Sequence, residues 1–232
     1  MPSSPSPRLL RFALASAAAI VLAHLVDRWA YFHLADAGLA GEDLGRMLRV
    51  MGFLPLWATA GLAMVLHDWP LRAERGTRAA VSRGTLLLLG AGLGGLAAEL
   101  LKLAFRRERP RAHAGEYVFR AWTERPLSTG GLALPSSHAL VAWGAAGVLA
   151  HLFPRARWVW YALAAGNGYS RVAAGAHFVS DVVLSAVVGL LVAEGLWRWH
   201  LRAAERHGTA GGGVPPAGAG VRLGAESRHN DA

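Results

Sequence analysis

Apolar residues fall into six long segments along the chain, separated by shorter polar stretches. A helix needs about twenty mostly apolar residues to cross the hydrocarbon core of a bilayer, because its backbone groups must be satisfied internally there. The pattern therefore predicts an all-α membrane protein, a bundle of six transmembrane helices. The predicted spans cover residues 9–26, 47–66, 84–105, 137–153, 158–174 and 179–199, of which the fourth and fifth are short.

The two ends of the chain lack this pattern. Residues 1–7 are rich in Pro and Ser, and residues from 207 onward are rich in Gly, Ala and Pro without an apolar period. Such compositions are typical of disordered segments. We therefore expect a disordered N-terminus over 1–7, a membrane domain over 8–206 and a disordered tail over 207–232.

The first apolar segment also resembles a signal peptide, since Arg8 and Arg11 precede it. A small-residue triplet at 35–37 would be the candidate cleavage site, but Asp27 and Arg28 separate it from the apolar core. We therefore expect this segment to be retained as an anchoring helix.

Composition excludes several classes of protein. The chain has no cysteine, which excludes disulfide scaffolds and cysteine–zinc modules. Only 17% of its residues are charged and 53% are apolar, so an ordinary soluble domain is not expected. The net charge of +9 does not indicate a nucleic-acid partner, because the basic residues are scattered between the apolar segments.

Arginine in the short loops predicts the orientation. The loops at 72–83 and 155–157, and the stretch 198–206, are arginine-rich and therefore expected on the cytoplasmic side of the inner (plasma) membrane. One outer loop contradicts this bias. Either the topology is inverted or its arginines have a task that outweighs the bias, and we take the second interpretation. These arginines are Arg106, Arg107, Arg109, Arg111, Arg120 and Arg125.

Three polar clusters lie at the outer ends of predicted spans, so the topology places them on one side of the membrane. One cluster leaves the third span, one opens the fourth, and one lies between the fifth and sixth. Their members are Lys102 with Arg109 and Pro110, then Ser136 with Ser137 and His138, then Ser170 and Arg171 with His177 and Asp181. Lys102 is the only lysine among 24 basic residues. It also lies on one helix face with Glu99, which fits a structural ion pair as well.

The clusters contain the groups that phosphoryl transfer requires. Such a reaction needs cations and N–H donors around the phosphoryl oxygens, a nucleophile and an acid for the leaving oxygen. His177 and Asp181 are four residues apart, so the carboxylate can orient the imidazole as a nucleophile. His138 is then available as the general acid. The predicted phosphate-binding residues are Lys102, Arg109, Ser136, Ser137 and Arg171.

Together the three clusters resemble the signature of the type 2 phosphatidic acid phosphatase family, Lys-x6-Arg-Pro, Pro-Ser-Gly-His and Ser-Arg-x5-His-x3-Asp. The first and third motifs match in full, whereas Ser137 replaces the usual glycine of the second. The resemblance implies six membrane helices and a site facing the periplasm. It also implies a phosphohistidine at His177, with Asp181 raising its nucleophilicity and His138 as acid, and no metal cofactor.

We therefore expect a lipid phosphatase whose substrate enters from the outer leaflet. Candidate substrates are undecaprenyl diphosphate, phosphatidylglycerol phosphate, phosphatidic acid and lipid A phosphate. Residues 106–134, with their arginines and aromatic residues, suit a lid over the site or a basic loop that attracts anionic lipid in general. Two alternatives stay open: a phosphotransferase with the same residues, and a non-enzymatic transporter or anionic-lipid binder.

Overall fold

The computed structural model describes residues 7–36 and 38–208, and within these ranges the chain is helical and without β-strands. The helices are α1 (Pro7–Leu34), α2 (Asp43–Val50), α3 (Leu54–Asp68), α4 (Arg72–Arg75), α5 (Thr77–Phe105), α6 (Ser137–Leu152), α7 (Arg157–Ala173) and α8 (Val179–Gly208). The all-helical prediction is confirmed for these residues. Apart from Pro7 and the last two residues of α8, the segments predicted to be disordered lie outside the described residues.

The chain divides into two compact units. The first, Met1–Arg198, contains α1 to α7 and most of α8. The second, Trp199–Ala232, is described only as the last turns of α8. All three sequence clusters belong to the first unit.

The number of helices that can span a membrane is smaller than the sequence pattern predicts. Among the described residues, three helical stretches are long and apolar enough: Leu9–Leu34, Thr77–Phe105 and Val179–Arg206. Helix α6 is apolar but has only 16 residues, and α7 has 17. Six transmembrane helices are therefore not confirmed, because a helix rises only about 1.5 Å per residue and these two are short for a full crossing.

The second predicted span is broken. Helices α2 and α3 meet at an angle of 65°, with the break over residues 51–53. Pro55 lies in the first turn of α3 and has no N–H, so a continuous helix would leave the carbonyl of Met51 without its donor. That carbonyl instead accepts a hydrogen bond of 2.7 Å from the Trp57 indole nitrogen. Counted as one span, the bent pair would be a fourth crossing.

Helix α6 is the centre of the bundle, and it packs against α5 and α7 and, through glycine contacts, against α8. Most of its residues are buried alanines, glycines and small aliphatics. A Cβ added at Gly90 of α5 would lie 2.8 Å from the carbonyl oxygen of Gly144, and one added at Gly189 of α8 would lie 3.0 Å from the Gly144 nitrogen. Small residues therefore let three helix backbones meet at one level, as is typical of helix packing in membranes.

We predict that Gly144→Ala destabilises the bundle. Its Cβ would collide with the Gly90 carbonyl, which is backbone and cannot move aside. Overpacking of this kind costs about 1–3 kcal/mol. Thermal unfolding of the detergent-purified protein, followed by circular dichroism, measures the effect.

Gly92→Ala is the matched control, because nothing lies within 4 Å of the position of its Cβ. Alanine also has a higher helix propensity than glycine. Equal unfolding temperatures for the two variants would contradict the close approach of α5 and α6.

Candidate active site

The fold brings the three sequence clusters together at one end of the helices. They lie in the last turn of α5 and the loop after it, at the start of α6, and from the last turn of α7 to the first turn of α8. Lys102 from the first cluster donates a hydrogen bond to the hydroxyl of Ser137 in the second. Arg109 from the first cluster and Arg171 from the third line one cavity of about 340 Å³. The structure thus assembles residues that are up to 79 positions apart, from 102 to 181.

Lys102, Glu99 and Ser137 form a compact polar triangle. The Lys102 ammonium lies 2.9 Å from the Glu99 carboxylate, and the Ser137 hydroxyl donates to the same carboxylate at 2.6 Å. Lys102 is buried, whereas the Glu99 side chain is 42% exposed. The ion pair that the spacing of Glu99 and Lys102 suggests is therefore present, and it lies inside the candidate site. Ser137 occupies the glycine position of the motif and adds a hydroxyl to this triangle.

Ser136 has a different position from the other predicted phosphate ligands. It is fully buried at the N-cap of α6, where its hydroxyl accepts a 3.4 Å hydrogen bond from the Ala139 N–H. Its own N–H donates to the Ser185 hydroxyl at 2.9 Å. An N-cap of this type satisfies one of the free donors of the first turn and so holds the start of the helix in place. The Ser136 side chain thus fixes the N-terminus that carries Ser137 and His138.

His177 is buried between α7 and α8, and its Nδ1 faces a backbone carbonyl. The Nδ1 atom lies 2.9 Å from the Ala133 oxygen and 3.6 Å from the Asp181 carboxylate. Removal from water lowers the pKa of His177, and Asp181 opposes this effect in part. The ring is therefore neutral at neutral pH. With its proton on Nδ1, donated to Ala133, the lone pair resides on Nε2.

Asp181 is held by groups that the sequence pattern did not single out. Its carboxylate accepts a 2.7 Å hydrogen bond from the Phe178 N–H, which caps the start of α8. It also forms a buried ion pair with Arg107. The Arg107 guanidinium lies 5.0 Å from the ring centres of both Phe178 and Tyr117. The Arg107 carbonyl accepts the Ala133 N–H at 2.7 Å, so one arginine supports both the carboxylate and the carbonyl that face His177.

Asp27 of α1 extends this network and was missed as a site residue. It is 1% exposed and accepts hydrogen bonds from the Ser180 N–H (2.8 Å), the Ser180 hydroxyl and the Tyr117 hydroxyl (2.7 Å). Partial burial and this hydrogen bond raise the pKa of Tyr117, so the phenol stays a donor. An acidic residue within an apolar segment is expensive and usually has a partner. The predicted first span ends at residue 26, so the rule does not reach Asp27, whereas helix α1 continues to Leu34.

Arg109 and Arg171 line the cavity, and His138 lies on α6, which packs against the helix that carries Arg171. His138 lies in the first turn of α6 and packs against Gly52, where a Cβ would lie 2.6 Å from that of His138. Both arginines are partly buried, and their Nε atoms have no hydrogen-bond partner among the described residues. Removal from water lowers the pKa of Arg109, and the nearby charge of Arg111 lowers it further. The cavity therefore presents guanidinium groups that an anion could satisfy.

The other arginines of the outer loop mostly stabilise the loop itself. Arg106 is buried and donates to the carbonyls of Arg120 and Ala121, at 3.2 and 2.9 Å, and to two others further along. Arg120 pairs with Glu108 at 2.8 Å, and this contact, with one from His113, lowers the pKa of Glu108. From the sequence we expect these outer-loop arginines to have a role that outweighs the orientation rule, and stabilising the loop is such a role. The three aromatic residues of the predicted lid, Tyr117, Phe119 and Trp122, are all exposed, and the hydroxyl of Tyr117 donates a hydrogen bond to Asp27.

Comparisons with known proteins point to one family. The PAP2 superfamily model matches residues 83–205, more than half of the chain, and this range includes all three clusters. A lipid A 1-phosphatase of Rhizobium etli is 34% identical over 106 residues, which are 46% of this chain and 45% of that protein. A lipid A 1-phosphatase of Rhizobium johnstonii is 33% identical over 106 residues, 46% of this chain and 43% of its own length. The chain thus matches less than half the length of these curated relatives. No solved structure matches it.

We predict that Asp27→Asn lowers the stability of the protein. The new amide N–H₂ group would face the Ser180 N–H or the Tyr117 hydroxyl, which now donate hydrogen bonds to the Asp27 carboxylate inside a buried network. Breaking one partner of buried charged hydrogen bonds costs about 1.5–3 kcal/mol or more. Thermal unfolding in detergent measures the loss.

Asp43→Asn serves as the control, since Asp43 is fully exposed and forms only a 3.5 Å pair with Arg46 on its own helix. We expect no measurable change there. An Asp27→Asn protein as stable as this control would show that the network contributes nothing.

Proposed function

The chain belongs to the PAP2 superfamily, and from this premise we propose that it is a membrane phosphatase that hydrolyses a lipid phosphate or diphosphate through a phosphohistidine at His177. The observation that carries the proposal is the setting of His177. Its ring is buried, its Nδ1 is engaged by the Ala133 carbonyl, and it follows α7, whose Arg171 lines a cavity together with Arg109. A neutral imidazole oriented in this way is a nucleophile directed at an anion site.

In the first step, the Nε2 lone pair of His177 attacks the terminal phosphorus, and the bond from that phosphorus to the leaving oxygen breaks; this oxygen belongs to the lipid in a monophosphate and bridges the two phosphates in a diphosphate. The ring then carries the phosphoryl group on Nε2 and keeps its proton on Nδ1. The positive charge that develops there is stabilised by the Ala133 carbonyl at 2.9 Å and by the Asp181 carboxylate at 3.6 Å. In this mechanism Asp181 acts as a buried countercharge, and the carbonyl holds the ring orientation.

Cations around the phosphoryl oxygens stabilise the transition state. Lys102, Arg109 and Arg171 supply three positive charges, and Ser137 at the start of α6 adds a hydroxyl beside a helix N-terminus. Phosphate competes with Glu99 for the Lys102 ammonium. Substrate binding therefore rearranges the polar triangle rather than filling a site that is already vacant.

Proton transfer is assigned to His138. In the first step it donates its proton to the leaving oxygen, so that a lipid monophosphate releases the lipid alcohol and a lipid diphosphate releases the lipid monophosphate. In the second step neutral His138 takes a proton from water as the water oxygen attacks the phosphohistidine, and the bond from phosphorus to Nε2 breaks to release inorganic phosphate. The first turn of α6 and its contact with Gly52 hold this histidine in place. The set of side chains supplies every charge that the reaction needs, so we propose that it proceeds without a metal ion.

Membrane helices and relatives named lipid A 1-phosphatases favour a lipid substrate. The arginine-rich loops favour an inner-membrane protein whose site faces the periplasm. Within that class the candidates are undecaprenyl diphosphate, phosphatidylglycerol phosphate, phosphatidic acid and lipid A phosphate.

We predict that the detergent-purified protein releases phosphate from at least one of these four lipids in the presence of EDTA, and that His177→Ala abolishes the release. His33→Ala is the control, since His33 is exposed near the end of α1 and bonds only its own helix, at the Trp29 carbonyl. Colorimetric phosphate determination measures each reaction.

Near wild-type release by His177→Ala would exclude this nucleophile, and loss of release in EDTA would exclude a metal-free reaction. A phosphoryl group that stays on His177, without release of phosphate, until a lipid or sugar alcohol is added would identify a phosphotransferase instead of a hydrolase.

The cations allow a second prediction. Arg171→Ala and Lys102→Ala should each lower kcat/KM by roughly a hundredfold or more, because each removes a charge beside the transition-state oxygens. Arg155→Ala is the control, since Arg155 is exposed in the turn between α6 and α7. Steady-state kinetics on the best lipid of the panel measures the effect, and a loss below about fivefold would contradict the assigned roles.

A further inference from the structure

The cavity lined by Arg109 and Arg171 has more positive charge than one phosphate requires. Four arginines line it, namely Arg49, Arg109, Arg111 and Arg171, and none of its lining residues is acidic. Arg109 and Arg171 belong to the family motifs. Arg49 comes from α2 and Arg111 from the short turn Pro110–Ala112, and neither is part of a motif.

These arginines are not neutralised by the protein. Within residues 7–36 and 38–208, none of the four side chains donates a hydrogen bond or forms an ion pair, and the buried Nε atoms of Arg109 and Arg171 have no partner. The acidic group that acts on Arg109 is Glu99, which is already shared by Lys102 and Ser137. Like charges held this close repel one another, so the arrangement favours a strongly anionic occupant.

Arg49 is held over the cavity by a dedicated contact. The buried Asn167 of α7 donates hydrogen bonds to the carbonyls of Leu48 (2.8 Å) and Arg49 (3.2 Å) at the end of α2. Gly166 lets Leu48 approach α7, since a Cβ there would lie 2.6 Å from the Leu48 side chain. The end of α2 is thus docked on the helix that carries Arg171.

Arg111 is held in place by the segment that precedes His177. Its N–H donates to the Gly175 carbonyl at 3.2 Å, two residues before His177. Gly175 has a φ of +60°, a conformation that favours glycine, and its turn directs the chain toward His177. Both extra arginines are therefore fixed to the elements that carry the motif residues.

We propose that Arg49 and Arg111 form a subsite for a second phosphate group on the same substrate, next to the phosphate that His177 attacks. The inference rests on the proposed function and specifies its substrate class: a lipid diphosphate, or a lipid with two separate phosphates. A cavity of about 340 Å³ has room for both groups, because a water takes about 30 Å³ and a phosphate displaces only a few waters. Guanidinium forks match phosphate oxygens in geometry as well as charge.

The test compares matched substrates. We would measure kcat/KM of the detergent-purified full chain on a prenyl diphosphate and on the monophosphate of the same prenol, and on a glycolipid phosphorylated at one end or at both ends of its sugar. The variants are Arg49→Gln and Arg111→Gln. The control is Arg46→Gln, one turn earlier on α2, whose side chain is exposed and pairs with Asp43.

On the doubly phosphorylated member of a pair, we expect each variant to lower kcat/KM by roughly tenfold to a hundredfold, because one charged hydrogen bond is lost. On the singly phosphorylated member, we expect each variant to lower kcat/KM by less than about threefold. Arg46→Gln should leave unchanged the ratio of kcat/KM between the two members of each substrate pair. A selective loss in the prenyl pair identifies a diphosphate substrate, and one in the glycolipid pair identifies separate phosphates. Equal losses on both members of each pair, or no loss at all, would overturn the subsite.

A binding measurement separates the subsite from the catalytic proposal. In the His177→Ala background, calorimetry with inorganic pyrophosphate and with inorganic phosphate reports affinity without turnover. Arg49→Gln and Arg111→Gln should weaken pyrophosphate binding tenfold or more and phosphate binding less than threefold. If the wild-type protein releases no phosphate from any lipid, the proposed function fails, but the pyrophosphate result still decides the subsite. Equal affinities of the variants and their parent for pyrophosphate would refute it.

Discussion

The candidate site depends on one buried ion pair, between Arg107 and Asp181. Removing both charges from water is costly, and further hydrogen bonds to the pair offset part of that cost. Here the Phe178 N–H donates to the carboxylate, the Ser180 hydroxyl accepts from the guanidinium, and two aromatic rings lie against the guanidinium, while the Arg107 Nε has no partner among the described residues. The backbone carbonyl of the same arginine accepts the Ala133 N–H. Arg107 thus connects the carboxylate and the carbonyl that lie near His177.

Two sets of charged groups accompany His177. Asp27 and Asp181 are buried and hydrogen-bonded, and Asp181 is also paired with Arg107. Among the described residues, the side chains of Arg109 and Arg171 have no hydrogen-bond or ion-pair partner, and both line the cavity. A rigid frame can hold such cations in a fixed arrangement, and an arrangement set in advance needs no reorganisation when charge develops on a substrate. The motif positions alone do not reveal this division.

Some of these features could be predicted from the chain itself. The three motifs follow one another in the order and spacing of a known family, and the comparison with the PAP2 superfamily confirms that resemblance. The all-helical fold also followed from the apolar segments. The count of six transmembrane helices is not confirmed for the described residues, because an apolar stretch shows where a helix is stable and not whether it continues. Pro55 breaks the second segment, and α6 and α7 are short.

The helical segments and the polar residues at their ends can be predicted from the sequence alone, since both depend on neighbours a few positions away. The contacts of those residues are visible only in the folded structure. Arg107 meets Asp181 across 74 positions, and Asp27 meets Ser180 across 153. The carbonyl facing His177 belongs to Ala133, a residue whose side chain carries no chemistry and leaves no signal in the sequence. Arg49 reaches the cavity only because Asn167 docks α2 on α7. Such contacts depend on how helices pack, and a linear pattern of hydrophobic and polar positions does not encode that packing.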